Sequence, residues 1–85
     1  MNNNKVLVNL VVPTLSETYN VFLPINKTVA EIIILLNQTI HDLTDGEFPI
    51  SKNLSLINCE TKEVYNYDYS LKVCKVKNGS TLALI

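Results

Sequence analysis

Arginine is missing altogether from this 85-residue sequence, and eight acidic residues outweigh its seven lysines for a net charge of −1. A nucleic-acid surface needs clustered Lys and Arg to neutralise phosphates, so that class of partner is excluded. Cysteine is scarce too. Two cysteines make no disulfide framework, and they point to reduced thiols in the cytoplasm. With a single histidine there is no Cys/His quartet for zinc, and Gly46 and Gly79 are too isolated for a phosphate loop. No cofactor or metal is expected. The apolar run at 32–36 falls far short of the roughly 20 residues that cross a bilayer. Lys5 followed by residues 6–12 faintly resembles a secretory leader. Asn9 interrupts that run, Pro13 follows it, and no small-residue cleavage site appears, so a strand is the better reading. Asn26, Asn37, Asn53 and Asn78 each begin a glycosylation triplet, which chance explains in an Asn-rich chain without a leader. A cytoplasmic protein with no direct membrane insertion is expected.

What the chain does have is apolar content, at 47% of residues. Domains of this size bury only about 60–65% of the surface that the unfolded chain exposes, so the core must be efficient. One domain spanning 1–85 is expected, with 1–4 polar and disordered. Residues 5–12 are β-branched and aliphatic and read as a strand, with Val6, Val8, Leu10 and Val12 inward and Leu7, Asn9 and Val11 outward. After a turn at 13–18, residues 19–25 form its antiparallel partner, with Tyr19, Val21 and Leu23 inward and Phe22 outward. Thr28-Val29-Ala30-Glu31 is a capping box, the clearest local signal in the chain. Val29, Ile32, Ile33, Leu36, Ile40 and Leu43 follow at helical spacing as one apolar stripe, and Gly46 ends the helix. Beyond a loop at 47–53, short strands are expected at 54–58 and 63–67. A turn at 71–76 should plug the core, and Asn78-Gly79 should lead into a last strand at 80–85.

One sheet curled around one helix accommodates this order, and a doubly wound sheet does not. Residues 19–36 resemble the second strand and helix of ubiquitin. Residues 69–85, ending Ser80-Thr81-Leu82-Ala83-Leu84-Ile85, are similar to ubiquitin's closing stretch. The resemblance implies an α+β ubiquitin-like β-grasp, a mixed sheet of order 2-1-5-3-4 with its first and last strands parallel at the centre. A ubiquitin-type modifier needs a flexible Gly-Gly tail, because an unhindered glycine carboxylate can be adenylated and passed between thiols. Ile85 is β-branched and expected within the sheet. Within the superfamily the chain looks most like the YukD/EsaB proteins, small ubiquitin-like components of type VII (WXG100/Esx) secretion systems in Gram-positive bacteria. That likeness implies a non-conjugated accessory or regulatory module whose partners are secretion-system proteins. The alternatives are a carrier or modifier whose Gly-Gly is missing from this chain, or a β-grasp domain cut from a larger transporter.

No catalytic residue is expected. Cys59 and His41 are the natural nucleophile–base pair to consider, but nothing in the sequence brings a strand-to-strand turn next to a helix end. Cys74 reads as a small buried hydrophobe. Asp42, Asp45 and Glu47 lack the alternating oxygens of a calcium loop, and Tyr65, Tyr67 and Tyr69 have acidic neighbours that disfavour base stacking. Lys72, Lys75 and Lys77 form a small basic rim. Surplus apolar residues remain. Leu7, Val11 and Phe22 on the outer sheet face are the first choice for a protein interface, and ubiquitin-like domains commonly bind there. Ile34, off the core stripe with Leu35 at its margin, marks a separate helix patch suited to weak homo-oligomer formation.

Overall fold

A computed structural model describes residues 4–85. The elements are β1 (Lys5–Val12), β2 (Glu17–Pro24), α1 (Val29–Leu43), β3 (Leu56–Asn58) and β4 (Thr81–Leu84), with a 3₁₀ turn at Pro13–Leu15. They form one mixed sheet of order β2-β1-β4-β3. β1 pairs antiparallel with β2 and parallel with β4, and β3 runs antiparallel to β4. This is the expected β-grasp. The first and last strands, β1 and β4, meet at the centre of the sheet, where Leu10 lies beside Leu82.

Alternation in β1 holds as read. Val6, Val8, Leu10 and Val12 are buried, and Leu7 is exposed. On β2 Leu23 is buried, while Tyr19 and Val21 are half-buried against the core. β2 begins two residues earlier than expected because Ser16, in the left-handed region at φ 53, closes the turn at once.

Five of the six stripe residues of α1, Val29, Ile32, Ile33, Leu36 and Ile40, are buried. Leu43 is not; it is 63% exposed. The last helical turn runs past the core, and Phe48 folds back beneath it instead. The Phe48 N–H donates to Thr44 Oγ1 (3.0 Å), and its carbonyl meets His41 Nδ1 (2.9 Å). The helix ends just before Gly46, with Asp45 rather than the glycine in the left-handed position after the C-cap, at φ 53. Gly46 follows it. Its N–H donates to the His41 carbonyl (2.8 Å) while the Asp45 N–H donates to Asp42 (3.3 Å), the paired bonds of a Schellman motif.

The expected fourth strand at 63–67 shrinks to a single bridge between Ile57 and Val64. Tyr65 turns into the core, and the chain then leaves the sheet for the helix N-terminus. There the carbonyls of Tyr69 and Tyr67 accept the N–H groups of Val29 (2.8 Å) and Ala30 (3.0 Å). These are donors that a helix start leaves without partners, so capping α1 replaces extending the sheet. The turn at 71–76 plugs the core as expected, with Leu71 and Val76 buried. Residues 1–3 of the segment read as disordered lie outside the described residues. Asn4 is tied down, because its carbonyl accepts from the Ile25 N–H (2.8 Å).

Candidate protein-binding surfaces

The outer face of the sheet is built by the residues between the core positions. Leu7 on β1 stands directly opposite Phe22 on β2. The Leu7 N–H donates to Asn78 Oδ1 (2.8 Å) and its carbonyl accepts from the Gly79 N–H (2.9 Å), so its backbone is directed away from β2. The pair is therefore of the non-hydrogen-bonded kind, in which side chains approach more closely. Phe22 is 67% exposed and Leu7 38%. Asn9, Asn20 and Thr81 form a polar row beside this pair.

Past that row lies a second apolar strip that runs from β1 across β4 to β3. Val11 pairs with Ala83, Ala83 with Ile57, and Ile57 with Val64. Ala83 is buried by its neighbours, Val11 and Ile57 are half-buried, and Val64 is exposed. Ile85 extends the same face two residues beyond Ala83. Its N–H and carbonyl both bond Ser55 (3.0 and 2.7 Å), and its side chain remains half exposed. The structure thus brings Leu7 and Phe22 together and places Val11 in a neighbouring strip. Sequence reading missed Ala83, Ile57 and Val64. Alternation flags Ile57 and Ala83, because each follows a buried Leu, but their alignment needs the register.

Ile34 belongs elsewhere. It is 70% exposed on α1 and lines a groove with Ala30 and Ile33 on one wall and Ile50, Leu54 and Tyr67 on the other. Two tethers hold that second wall. Asn37, the one buried polar side chain among the described residues, donates from Nδ2 to the Pro49 carbonyl (3.0 Å) and accepts from the Ser51 N–H (2.8 Å). The Tyr67 hydroxyl donates to the Leu54 carbonyl (2.9 Å).

The chemical candidates stay apart. His41 is bound to the loop through Phe48, the Cys59 N–H donates to the Thr81 carbonyl (3.0 Å), and no hydrogen bond joins their side chains. Burial pushes the Cys74 thiol above its ordinary value, with the Glu63 carboxylate adding to the shift, which is the reverse of thiolate activation. Burial also raises the Tyr65 hydroxyl, against an opposing hydrogen bond from Asn58. Tyr65 is buried while Tyr67 and Tyr69 are half exposed, so the three tyrosines make no common stacking face. Among the described residues no three His, Cys, Asp or Glu side chains group to hold a metal ion. Among them, too, no helix is long and apolar enough to cross a membrane.

No family model matches the chain, and no curated protein does. Solved structures match throughout its length. The ubiquitin-like domain of the Mycobacterium tuberculosis type VII secretion system protein ECCD1 is 16% identical with a TM-score of 0.75, over 95% of this chain and 97% of that one. A designed protein based on ubiquitin is 19% identical with a TM-score of 0.68, over 99% and 90%. A chain of the MycP5-free ESX-5 inner membrane complex is 19% identical with a TM-score of 0.69, and 96% of this chain covers 21% of that one. The fold of this protein is that of ubiquitin.

Proposed function

We propose that this protein is a non-enzymatic, non-conjugated ubiquitin-like module that works by binding other proteins, as a cytoplasmic accessory or regulatory component of a type VII secretion system similar to YukD/EsaB. The observation that carries the binding role is the outer sheet face. There an exposed Leu7–Phe22 pair and an apolar strip of Val11, Ala83, Ile57 and Val64 lie on one surface. Apolar area gathered this way marks a partner site more strongly than scattered residues do. The fold likeness to the ECCD1 domain supports the secretion setting.

A second reading draws on the ESX-5 match. The same fold makes up about a fifth of a longer chain there, which favours a domain of a larger secretion protein. Affinity capture from the host, with mass spectrometry of the bound proteins, tests both. Secretion-system proteins should be retained by the wild type and by Ile34→Asp and lost by Leu7→Asp/Phe22→Asp. Recovery of an adenylating enzyme, or of covalently modified proteins, would overturn the binding role in favour of a carrier.

A further inference from the structure

The sheet has two edges, and they are protected very differently. β3 is three residues long and is covered by the bridge to Val64. β2 is eight residues long and lies at the other edge. Its register with β1 runs one to one from Glu17 to Pro24, so no bulge twists it away. No charged residue occurs from Thr18 to Pro24, and the proline stands only at the end. Edges are ordinarily shielded by charged side chains, proline, a bulge or short length; on β2 the charge and the proline stand only at its two ends, Glu17 and Pro24, and the six residues from Thr18 to Leu23 carry none of these.

Hydrogen-bond directions show what this edge offers. The backbone of Leu7 bonds Asn78 and Gly79, and the Asn9 N–H donates to the Ser80 carbonyl (2.9 Å), so odd-numbered residues of β1 face β4. Even-numbered residues therefore bond β2, pairing Val8 with Val21 and Leu10 with Tyr19. The N–H and carbonyl groups of Thr18, Asn20 and Phe22 consequently point out of the sheet. Among the described residues nothing pairs with them.

We propose that β2 pairs antiparallel with β2 of a second copy of this chain, about a two-fold axis through Asn20, to make one continuous eight-stranded sheet. The spacing is self-complementary. Outward-directed residues must oppose outward-directed residues, and centring on Asn20 sets Asn20 against itself and Thr18 against Phe22 twice. All three donors and all three acceptors on each copy are then used. Centring on Val21 would draw Pro24, which has no N–H, into the ladder. Centring on Tyr19 would call on Ser16, whose φ of 53 is not that of a strand. The Thr18–Phe22 pairs set a β-branched residue beside an aromatic one, a favourable cross-strand combination. With no charge between Thr18 and Pro24, nothing in the seam repels. This interface is independent of the type VII reading.

The test uses the full chain with Cys59→Ser and Cys74→Ser, so that the only thiol is the one introduced. On the proposed axis the two Asn20 Cα atoms stand about 5.5 Å apart, within disulfide reach. Asn20→Cys should therefore cross-link under mild oxidation. Phe22→Cys, displaced by four residues of strand rise or about 14 Å, should not. In the wild-type chain, amide exchange at Thr18, Asn20 and Phe22 should slow as concentration rises, while Tyr19, Val21 and Leu23 stay protected throughout. Asn20→Lys places like charges on the axis and should weaken dimerisation about tenfold or more by sedimentation, with the monomer's circular dichroism unchanged. A chain that stays monomeric at millimolar concentration overturns the proposal. So does a dimer unaffected by Asn20→Lys but lost with Ile34→Asp, which would put the contact on the helix.

Discussion

Thr28 and Glu31 show how far one side chain can be reasoned from the sequence. The box was legible as four letters, and the structure forms both halves: Glu31 N–H to Thr28 Oγ1 (3.2 Å) and Thr28 N–H to Glu31 Oε1 (3.0 Å). Thr28→Ala removes the first bond and should cost about 1 kcal/mol in urea denaturation at neutral pH. The second bond has a pH signature. The Thr28 backbone amide, then its hydroxyl, hold the Glu31 carboxyl below the ordinary glutamate value of 4.5. A carboxyl depressed in the folded state contributes stability that is fully present above its unfolded value and is lost as pH falls through the folded one. Wild type should therefore lose stability relative to Glu31→Gln as pH drops below about 4.5, with no divergence above pH 6. Parallel denaturation series at fixed ionic strength check this. Asn37 was the residue hardest to read. Its letter marks a polar side chain beside an apolar stripe, and only the return of residues 49–51 across the helix gives that amide its partners.

At the scale of elements, strands and helix were legible where the apolar period is long, as in β1 and α1, and failed where local pattern competes with a distant need. Residues 63–67 have the tyrosines and alternation of a strand, yet the helix N-terminus takes the carbonyls of Tyr67 and Tyr69. No local pattern signals that demand. Leu43 failed for a related reason: period places it on the stripe, but the core ends one turn earlier. Ile40→Ala should cost about 2–5 kcal/mol, whereas Leu43→Ala should stay within about 0.5 kcal/mol; equal losses would mean that the last turn is packed after all. The strap of residues 49–51 that faces α1 depends on Asn37. Asn37→Leu leaves the Ser51 N–H and Pro49 carbonyl without partners in a part-buried site and should destabilise by about 2 kcal/mol. Hydrogen exchange at Ser51 should accelerate well beyond that global loss, because the strap detaches first.

At the scale of the molecule, stability and topology meet in β4. The strand is four residues long, with Leu82, Ala83 and Leu84 buried, and among the described residues it alone pairs with both β1 and β3. Its order in the sheet came from resemblance to ubiquitin rather than from period, since no alternation reveals that a last strand will lie parallel to the first. Leu82 is fully buried beside Leu10, so Leu82→Ala should cost about 3 kcal/mol. For a domain of this length total stability is on the order of 4–13 kcal/mol, and that one truncation removes a substantial share. Because a single apolar cluster draws buried residues from each of β1, β2, α1, β3 and β4, no part has a core of its own. The loss should appear as one cooperative shift, with far-ultraviolet circular dichroism and tyrosine fluorescence moving together in urea. Two separated transitions in Leu82→Ala would instead mean that the β1–β2 hairpin and α1 hold together without β4. The outer strip of Val11, Ala83 and Ile57 would then be lost well before the Leu7–Phe22 pair, and binding through the two parts of that face would separate along the same denaturant axis.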